Sequence, residues 1–305
     1  MTQPTFKIGT RGSPLALAQA YETRTRLMAA HDLPENRFEV VVIKTTGDRI
    51  QDRPLGEIGG KGLFTKEIEE ALLDGSIDLA VHSMKDMPVE QPAGLVLDCY
   101  LPREDVRDAF VSLKYKSIAD LPKGAKLGSS SLRRRAQILH MRPDINVVEF
   151  RGNVQTRLRK LDEGVADATF LAMAGLNRLG NAHIAQSAVD VDEILPAVAQ
   201  GAIGIERHAD NADIHAMLSA IADKDTATRL AAERAFLQAL DGSCQTPIAG
   251  LATLDGDQLT LRGQILRTDG SDQVSGEITG AAPDGPALGC KLAADLLEKS
   301  GGDFF

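Results

Sequence analysis

The strongest constraint on the fold is an internal repetition. Lys7-Ile8-Gly9-Thr10-Arg11-Gly12-Ser13 follows a short apolar run at Phe6 to Ile8 and leads into Pro14, a proline at the first position of a helix with Ser13 as its N-cap. Lys126-Leu127-Gly128-Ser129-Ser130-Ser131 has the same form. Downstream, the apolar run Phe38 to Ile43 leads to Lys44 and Gly47, and Ile145 to Phe150 leads to Arg151 and Gly152. Further on, Asp74-Gly75-Ser76-Ile77-Asp78 before Met84 matches Glu163-Gly164-Val165-Ala166-Asp167 before Met173. Correspondences in the same order predict two related α/β domains, each built from strand, turn and helix. Two such domains in series place a cleft between them, with ligands beyond the carboxyl ends of the strands.

The tail has a different pattern. A helix is expected from about Thr226 to Leu240. Leu259, Leu261 and Ile265 alternate with polar residues, Asp255-Gly256 and Asp269-Gly270 mark hairpin turns, and Ala287 to Leu297 forms a closing amphipathic helix. This predicts a small α+β third domain. The length of 305 residues agrees with two or three domains. A helix from about Thr65 to Leu73, with Phe64, Ile68 and Leu72 on one face, and a strand from Ile77 to Met84 complete the first repeat. Thr46 to Gly62 reads as a loop.

Charge sets the class of ligand. The chain as a whole carries −9, and aromatic residues make up 4% of it, which opposes nucleic-acid binding and any base-stacking platform. Yet Lys123 to Lys160 holds ten cations against Asp144 and Glu149, a local balance of +8. Arg133, Arg134 and Arg135 fall in the first turn of a helix, where the macrodipole opposes cations and favours anions. Guanidinium forks suit carboxylates and phosphates. The placement therefore points to a bound anion; the competing explanation is a solvated helix face. Lys85-Asp86 ends an apolar strand and can be either a charged pair in a cleft or a surface turn. A lone Asp among cations is ionised and can stabilise a cation or move a proton.

Cys99, Cys244 and Cys290 are too few and too scattered for a disulfide framework or zinc cluster, so a reducing compartment is expected. Cys99 in an apolar run and Cys290 in an amphipathic helix read as packing residues; Cys244, in Asp241-Gly242-Ser243-Cys244-Gln245-Thr246-Pro247, is the accessible thiol. His82 inside an apolar strand reads as a core histidine. No spacing suggests a metal site, a P-loop or a dinucleotide fingerprint. The apolar stretch before Gln19 is too short for a signal peptide, and no run reaches the roughly 18 residues of a membrane span. A cytoplasmic protein is expected.

Eight ordered segments together resemble the porphobilinogen deaminase (hydroxymethylbilane synthase) family over nearly the whole chain. They are Gly9 to Leu17, Gly59-Gly60-Lys61-Gly62-Leu63-Phe64, Ala80 to Pro88, Arg103-Glu104-Asp105 to Phe110, Gly128 to Arg134, Arg151 to Arg157, Leu195 to Gly201 and Gly242 to Gln245. The resemblance implies two periplasmic-binding-protein-like (type II) α/β domains around a cleft, with two crossovers, plus the small C-terminal α+β domain. Boundaries follow: residues 1–101 with 198–219, 102–197, and 220–305. It also implies a transferase that deaminates porphobilinogen and joins four molecules head to tail in tetrapyrrole biosynthesis. A dipyrromethane cofactor would be held as a thioether on Cys244, and Asp86 would be catalytic. Lys85, Ser129, Ser130, Arg133 and Arg134 would bind the cofactor. Arg11, Ser13, Lys61, Arg151, Gly152, Arg157 and Gln200 would bind substrate and the growing oligopyrrole. Two departures stand: Arg135 extends the arginine pair, and 46–59 matches only loosely. Neither a metal, a nucleic acid nor a membrane partner is implied, and a monomer is expected. The rival is a non-enzymatic clamshell anion-binding protein, which accounts for the duplication and the arginines but needs neither Cys244 nor Asp86.

Overall fold

Residues 5–49, 64–243, 246–301 and 304 are described by the structure, a computed structural model. In chain order the elements are β1 (Phe6–Thr10), α1 (Pro14–His31), β2 (Phe38–Val42), α2 (Thr46–Arg49), α3 (Lys66–Leu73), β3 (Leu79–Ser83), β4 (Leu95–Tyr100), β5 (Asp108–Ser112), β6 (Lys126–Gly128), α4 (Leu132–Met141), β7 (Asn146–Val148), α5 (Val154–Asp162), β8 (Ala168–Ala172), α6 (Met173–Arg178), β9 (Ser187–Ala188), β10 (Ile203–His208), α7 (Ala212–Ser219), α8 (Lys224–Ala239), β11 (Ile248–Asp255), β12 (Gln258–Leu266), β13 (Gln273–Ala281) and α9 (Gly285–Lys299). They divide into two units, Met1–Glu104 with Ala202–Ala227 and Asp105–Gly201 with Thr228–Phe305.

The first unit holds a sheet of order β2-β1-β3-β10-β4. β1 runs parallel to β2 and β3, while β10 runs antiparallel to β3 and β4. The second unit holds a sheet of order β7-β6-β8-β5-β9, in which β6 is parallel to its neighbours and β5 antiparallel to its own. The two orders match strand for strand, so the duplication read from the sequence is a duplication of topology. The antiparallel strand differs in origin. In the first sheet it arrives after the whole second sheet; in the second it comes before its partners. The chain thus leaves the first sheet after β4 and returns to it at β10.

The repeated residues do the same work in both halves. Asp78 accepts the Lys7 backbone N–H at 2.7 Å, and Asp167 accepts that of Lys126 at 2.8 Å. Gly75 and Gly164 take φ of +75° and +73°, which a side chain would oppose, and so end α3 and α5. A Cβ on Gly128 would overlap the buried Phe150 ring. Ser13 caps α1 by accepting from Ala16 N at 3.2 Å, and Ser131 caps α4 by accepting from Arg134 N at 3.4 Å.

Ile8, Leu27, Leu79, Val81, Ile203 and Ile205 form the core on one face of the first sheet; Ile68, Leu72, Ile77 and Ala80 form it on the other, under α3. Burying each large aliphatic side chain contributes about 1.5–3 kcal/mol. Strand β7 is shorter than the expected Ile145 to Phe150 run. The expected loop after Thr46 opens instead with α2, because Glu67 at the start of α3 accepts from Thr46 N at 2.8 Å and Thr46 Oγ1 at 2.5 Å. The remainder of that loop, 50–62, lies outside the described residues.

The tail is the antiparallel sheet β11-β12-β13 packed by α9, with turns at Gly256 and Gly270 as expected. One expectation is corrected here. Cys290 is exposed, because the buried face of α9 consists of Gly285, Gly289, Leu292, Ala293 and Leu296, and Cys290 falls one residue off that stripe. Cys99 is buried in the first core, and burial pushes its thiol up to about 12.

Candidate active site

In the first unit the expected residues gather at the carboxyl ends of β1 and β3. Arg11 leaves β1 with its guanidinium 4.2 Å from the centre of the Phe64 ring. Ser13 is committed to the α1 cap. β3 runs into a 3-10 turn, Met84–Asp86, whose buried Met84 anchors it. Met84 N donates to Ala202 O at 3.0 Å and Met87 N to Met84 O at 3.2 Å, which fixes the turn and leaves Asp86 exposed. Lys61 lies outside the described residues, as do Cys244 and Gln245.

In the second unit Ser129, Ser130, Arg133, Arg134, Arg151, Gly152, Arg157 and Gln200 stand at the ends of β6 and β7, on the helices that follow, and on the segment before β10. Ser130 Oγ accepts from Phe150 N at 3.2 Å, and Ser129 Oγ from Ser131 N at 3.2 Å. Gly152 has φ +126°, and Thr156 occupies the place of a Cβ.

The arginines at the start of α4 do not simply face outward. Asp108, at 0% exposure, receives Arg133 Nη2 at 2.7 Å, Arg134 Nη2 at 2.7 Å, Arg134 Nε at 3.1 Å and Gln200 Nε2 at 2.8 Å. Arg133 also donates to Leu195 O at 2.7 Å, and Arg134 to Phe170 O at 3.0 Å. Burial alone would push the Asp108 carboxyl up; the two guanidiniums overrule it and hold it well below the usual carboxylate range. Two cations against one anion leave this buried cluster positive. Arg157 adds a third cation. Desolvation first, then the nearby Arg134 charge, pull it down to about 10. Its Nε donates to Gly152 O at 2.9 Å, and among the described residues it has no acidic partner. Arg133 Nε is buried without a hydrogen-bond partner among the described residues. Cations in excess of the acids around them can accept a carboxylate.

The sequence reading missed Asp108. Its signal was a lone acid heading the apolar strand Asp108-Ala109-Phe110-Val111, which demands a buried cation. It also missed Arg178, which donates to Gly201 O at 3.2 Å beside Gln200. Among the described residues no group of His, Cys, Asp and Glu is placed to hold a metal ion, and no helix is long and apolar enough to cross a membrane.

Known proteins are similar to this chain in sequence. Residues 6–216 match the family described as "Porphobilinogen deaminase, dipyromethane cofactor binding domain", and residues 227–298 match "Porphobilinogen deaminase, C-terminal domain". The chain is 66% identical over 303 residues to the porphobilinogen deaminase of Paracoccus denitrificans strain Pd 1222, covering 99% of this chain and 97% of that one. Solved structures with some likeness include the methionine binding protein MetQ, with 14% identity over 73% of this chain and 91% of that one and a TM-score of 0.44. Another is the aliphatic sulphonate binding protein SsuA from Escherichia coli, with 18% identity over 79% and 71% and a TM-score of 0.42. Likenesses this distant add nothing to the strand order described above. By both family matches and the 66% identity along nearly its full length, the chain belongs to the porphobilinogen deaminase family.

Proposed function

We infer that the strand-end residues described above bind and turn over the substrate of a transferase reaction. The chain deaminates porphobilinogen and joins four molecules head to tail into hydroxymethylbilane, a step of tetrapyrrole biosynthesis. Its dipyrromethane cofactor fits the residues present. Each pyrrole bears an acetate and a propionate, and the second unit offers Arg157, which has no acidic partner among the described residues, beside the net positive Asp108–Arg133–Arg134 cluster. Cys244 is the attachment point, through a thioether. Lys85, Ser129, Ser130, Arg133 and Arg134 hold the cofactor carboxylates. Arg11, Ser13, Lys61, Arg151, Gly152, Arg157 and Gln200 receive those of the substrate and the growing chain. When bound, the cofactor supplies the pyrrole carbon to which the first substrate unit is joined.

Asp86 carries the chemistry. As the aminomethyl C–N bond of the substrate breaks, ammonia leaves with the electron pair and the substrate pyrrole nitrogen becomes positive. The Asp86 carboxylate stabilises that charge and takes the proton displaced from the attacked carbon. Its exposure at the end of a fixed turn suits both tasks. The protein works as a cytoplasmic monomer of three domains, 1–101 with 198–219, 102–197 and 220–305, and takes no nucleic-acid partner.

The observation that carries the reading is Arg157 beside Arg134: a guanidinium with no acidic partner among the described residues stands next to a pair that shares the single carboxylate of Asp108. A clamshell anion-binding protein would also explain them, but it leaves the matches to both family models without a cause. Intact mass with peptide mapping tests the assignment. The Cys244 peptide is expected to carry the mass of two linked pyrrole units. An unmodified Cys244 in freshly made, active protein overturns the cofactor assignment.

A further inference from the structure

The two sheets serve as controls for one another. Gly9 pairs with Ala80 in the first, and Gly128 with Thr169 in the second. Counting from these, His82 corresponds to Leu171 and Glu206 to Val111. In the second unit that place is apolar: Val111 and Leu171 pack with Phe150, Leu161 and Leu176. In the first unit it holds His82 and Glu206, 6% and 0% exposed, joined Nε2 to Oε2 at 3.1 Å. Glu206 Oε1 is buried with no hydrogen-bond partner among the described residues. The fold therefore has an apolar solution for this place and does not use it. Desolvating a carboxylate costs several kcal/mol, so a retained buried pair calls for a reason other than folding.

Its position supplies the reason. His82 lies opposite Gly204, and Glu206 is two residues further along β10. The turn bearing Lys85 and Asp86 rests on the same strand and the residue before it, through the Met84 thioether on Gly204, whose missing Cβ leaves room for it, and Met84 N on Ala202 O. The side-chain bond thus ties β3 to β10 directly beneath that turn. Glu69 of α3 faces the pair from above. Its carboxyl is pushed up by burial and, to a lesser degree, by the charge of Glu206. Among the described residues Glu69, His82 and Glu206 act on one another there, and Glu70 adds a smaller repulsion on Glu69.

We propose that His82 and Glu206 are positioning residues for Asp86, fixing the strand end and setting the charge beneath the catalytic turn. The proposal rests on Asp86 being catalytic. Its test is the double variant His82→Leu/Glu206→Val, which copies the other half, compared with wild type as cofactor-loaded protein. Expected are a melting temperature within about 2 °C of wild type or above it, and kcat per loaded site lower by about tenfold or more. The kcat pH profile should also be displaced by about half a unit or more. Wild-type kcat with a wild-type pH profile overturns the proposal. So does a lowered melting temperature with kcat intact, which is the behaviour of a merely structural pair. If the double variant does not fold, Glu206→Gln decides: a displaced pH profile supports the proposal, an unmoved one overturns it. Asp86→Asn is measured alongside. Retained turnover there shows that the Asp86 reading has failed, whatever the pair does.

Discussion

Replacing Asp108 with Asn removes the one negative charge between two buried guanidiniums. The carboxylate accepts four hydrogen bonds, at 2.7, 2.7, 2.8 and 3.1 Å. An amide of the same shape keeps one oxygen and turns an NH₂ donor toward donors, so about half of these bonds are lost and Arg133 and Arg134 are left unneutralised. Breaking a buried ion pair from one side costs about 3–5 kcal/mol, against a domain stability of about 5–15 kcal/mol. For a unit of this size each kcal/mol moves the melting point by about 2–4 °C, so a fall of about 6–20 °C is expected in the transition of the second unit. The chain has no Trp, so calorimetry or circular dichroism is the assay. The difference has a pH signature. Asp108 is held below its unfolded value, so its contribution is present above the ordinary carboxylate range and is lost as pH falls through the folded value. The gap between wild type and variant is therefore constant from neutral pH down to about 5 and narrows below about pH 4. The triple variant Asp108→Leu/Arg133→Met/Arg134→Met should recover most of the lost stability while losing carboxylate binding. A melting point for Asp108→Asn within a few degrees of wild type would refute the reasoning.

Asp86→Asn should keep its fold and lose about 100-fold or more in turnover; near-normal ammonia release from porphobilinogen contradicts the role given to it. Gly128→Ala forces a methyl group into the buried Phe150 ring and should cost about 1–3 kcal/mol; an unchanged denaturation midpoint speaks against that packing. Iodoacetamide near about pH 8 should label Cys290 in the folded protein and spare Cys99, whose thiol is buried and pushed up to about 12; peptide mapping with Cys99 labelled first reverses the assignment.

The duplication was legible because its signals are local. Gly75 and Gly164 are there for a positive φ, and Asp78 and Asp167 each accept a backbone N–H from the neighbouring strand start, so the same few residue types recur at both joints. The clustering of basic residues was legible for the same reason. What Arg133 and Arg134 point at was not, because Asp108 lies 25 residues before Arg133 and only the sheet brings them together. His82 reads as a core histidine from its apolar strand, yet its partner is 124 residues away on a strand whose place in the sheet no periodicity reveals. Cys290 shows the limit of helical periodicity itself: an error of one residue turns a buried position into an exposed one.

The interleaved strand order also dictates a sequence of events during synthesis. Every strand of the second sheet has emerged once Ala188 leaves the ribosome, while the first sheet still lacks β10, the strand that sits between β3 and β4. β3 ends at Ser83 and β10 begins at Ile203, so at about 5–20 residues per second the nascent amino-terminal half waits roughly 6–24 s for its missing strand. During that interval β3 presents an unpaired edge, and β4 has nothing to pair with. Of these two sheets the one begun first is finished last, and it is the one that depends on protection from edge-to-edge aggregation while the chain is being made.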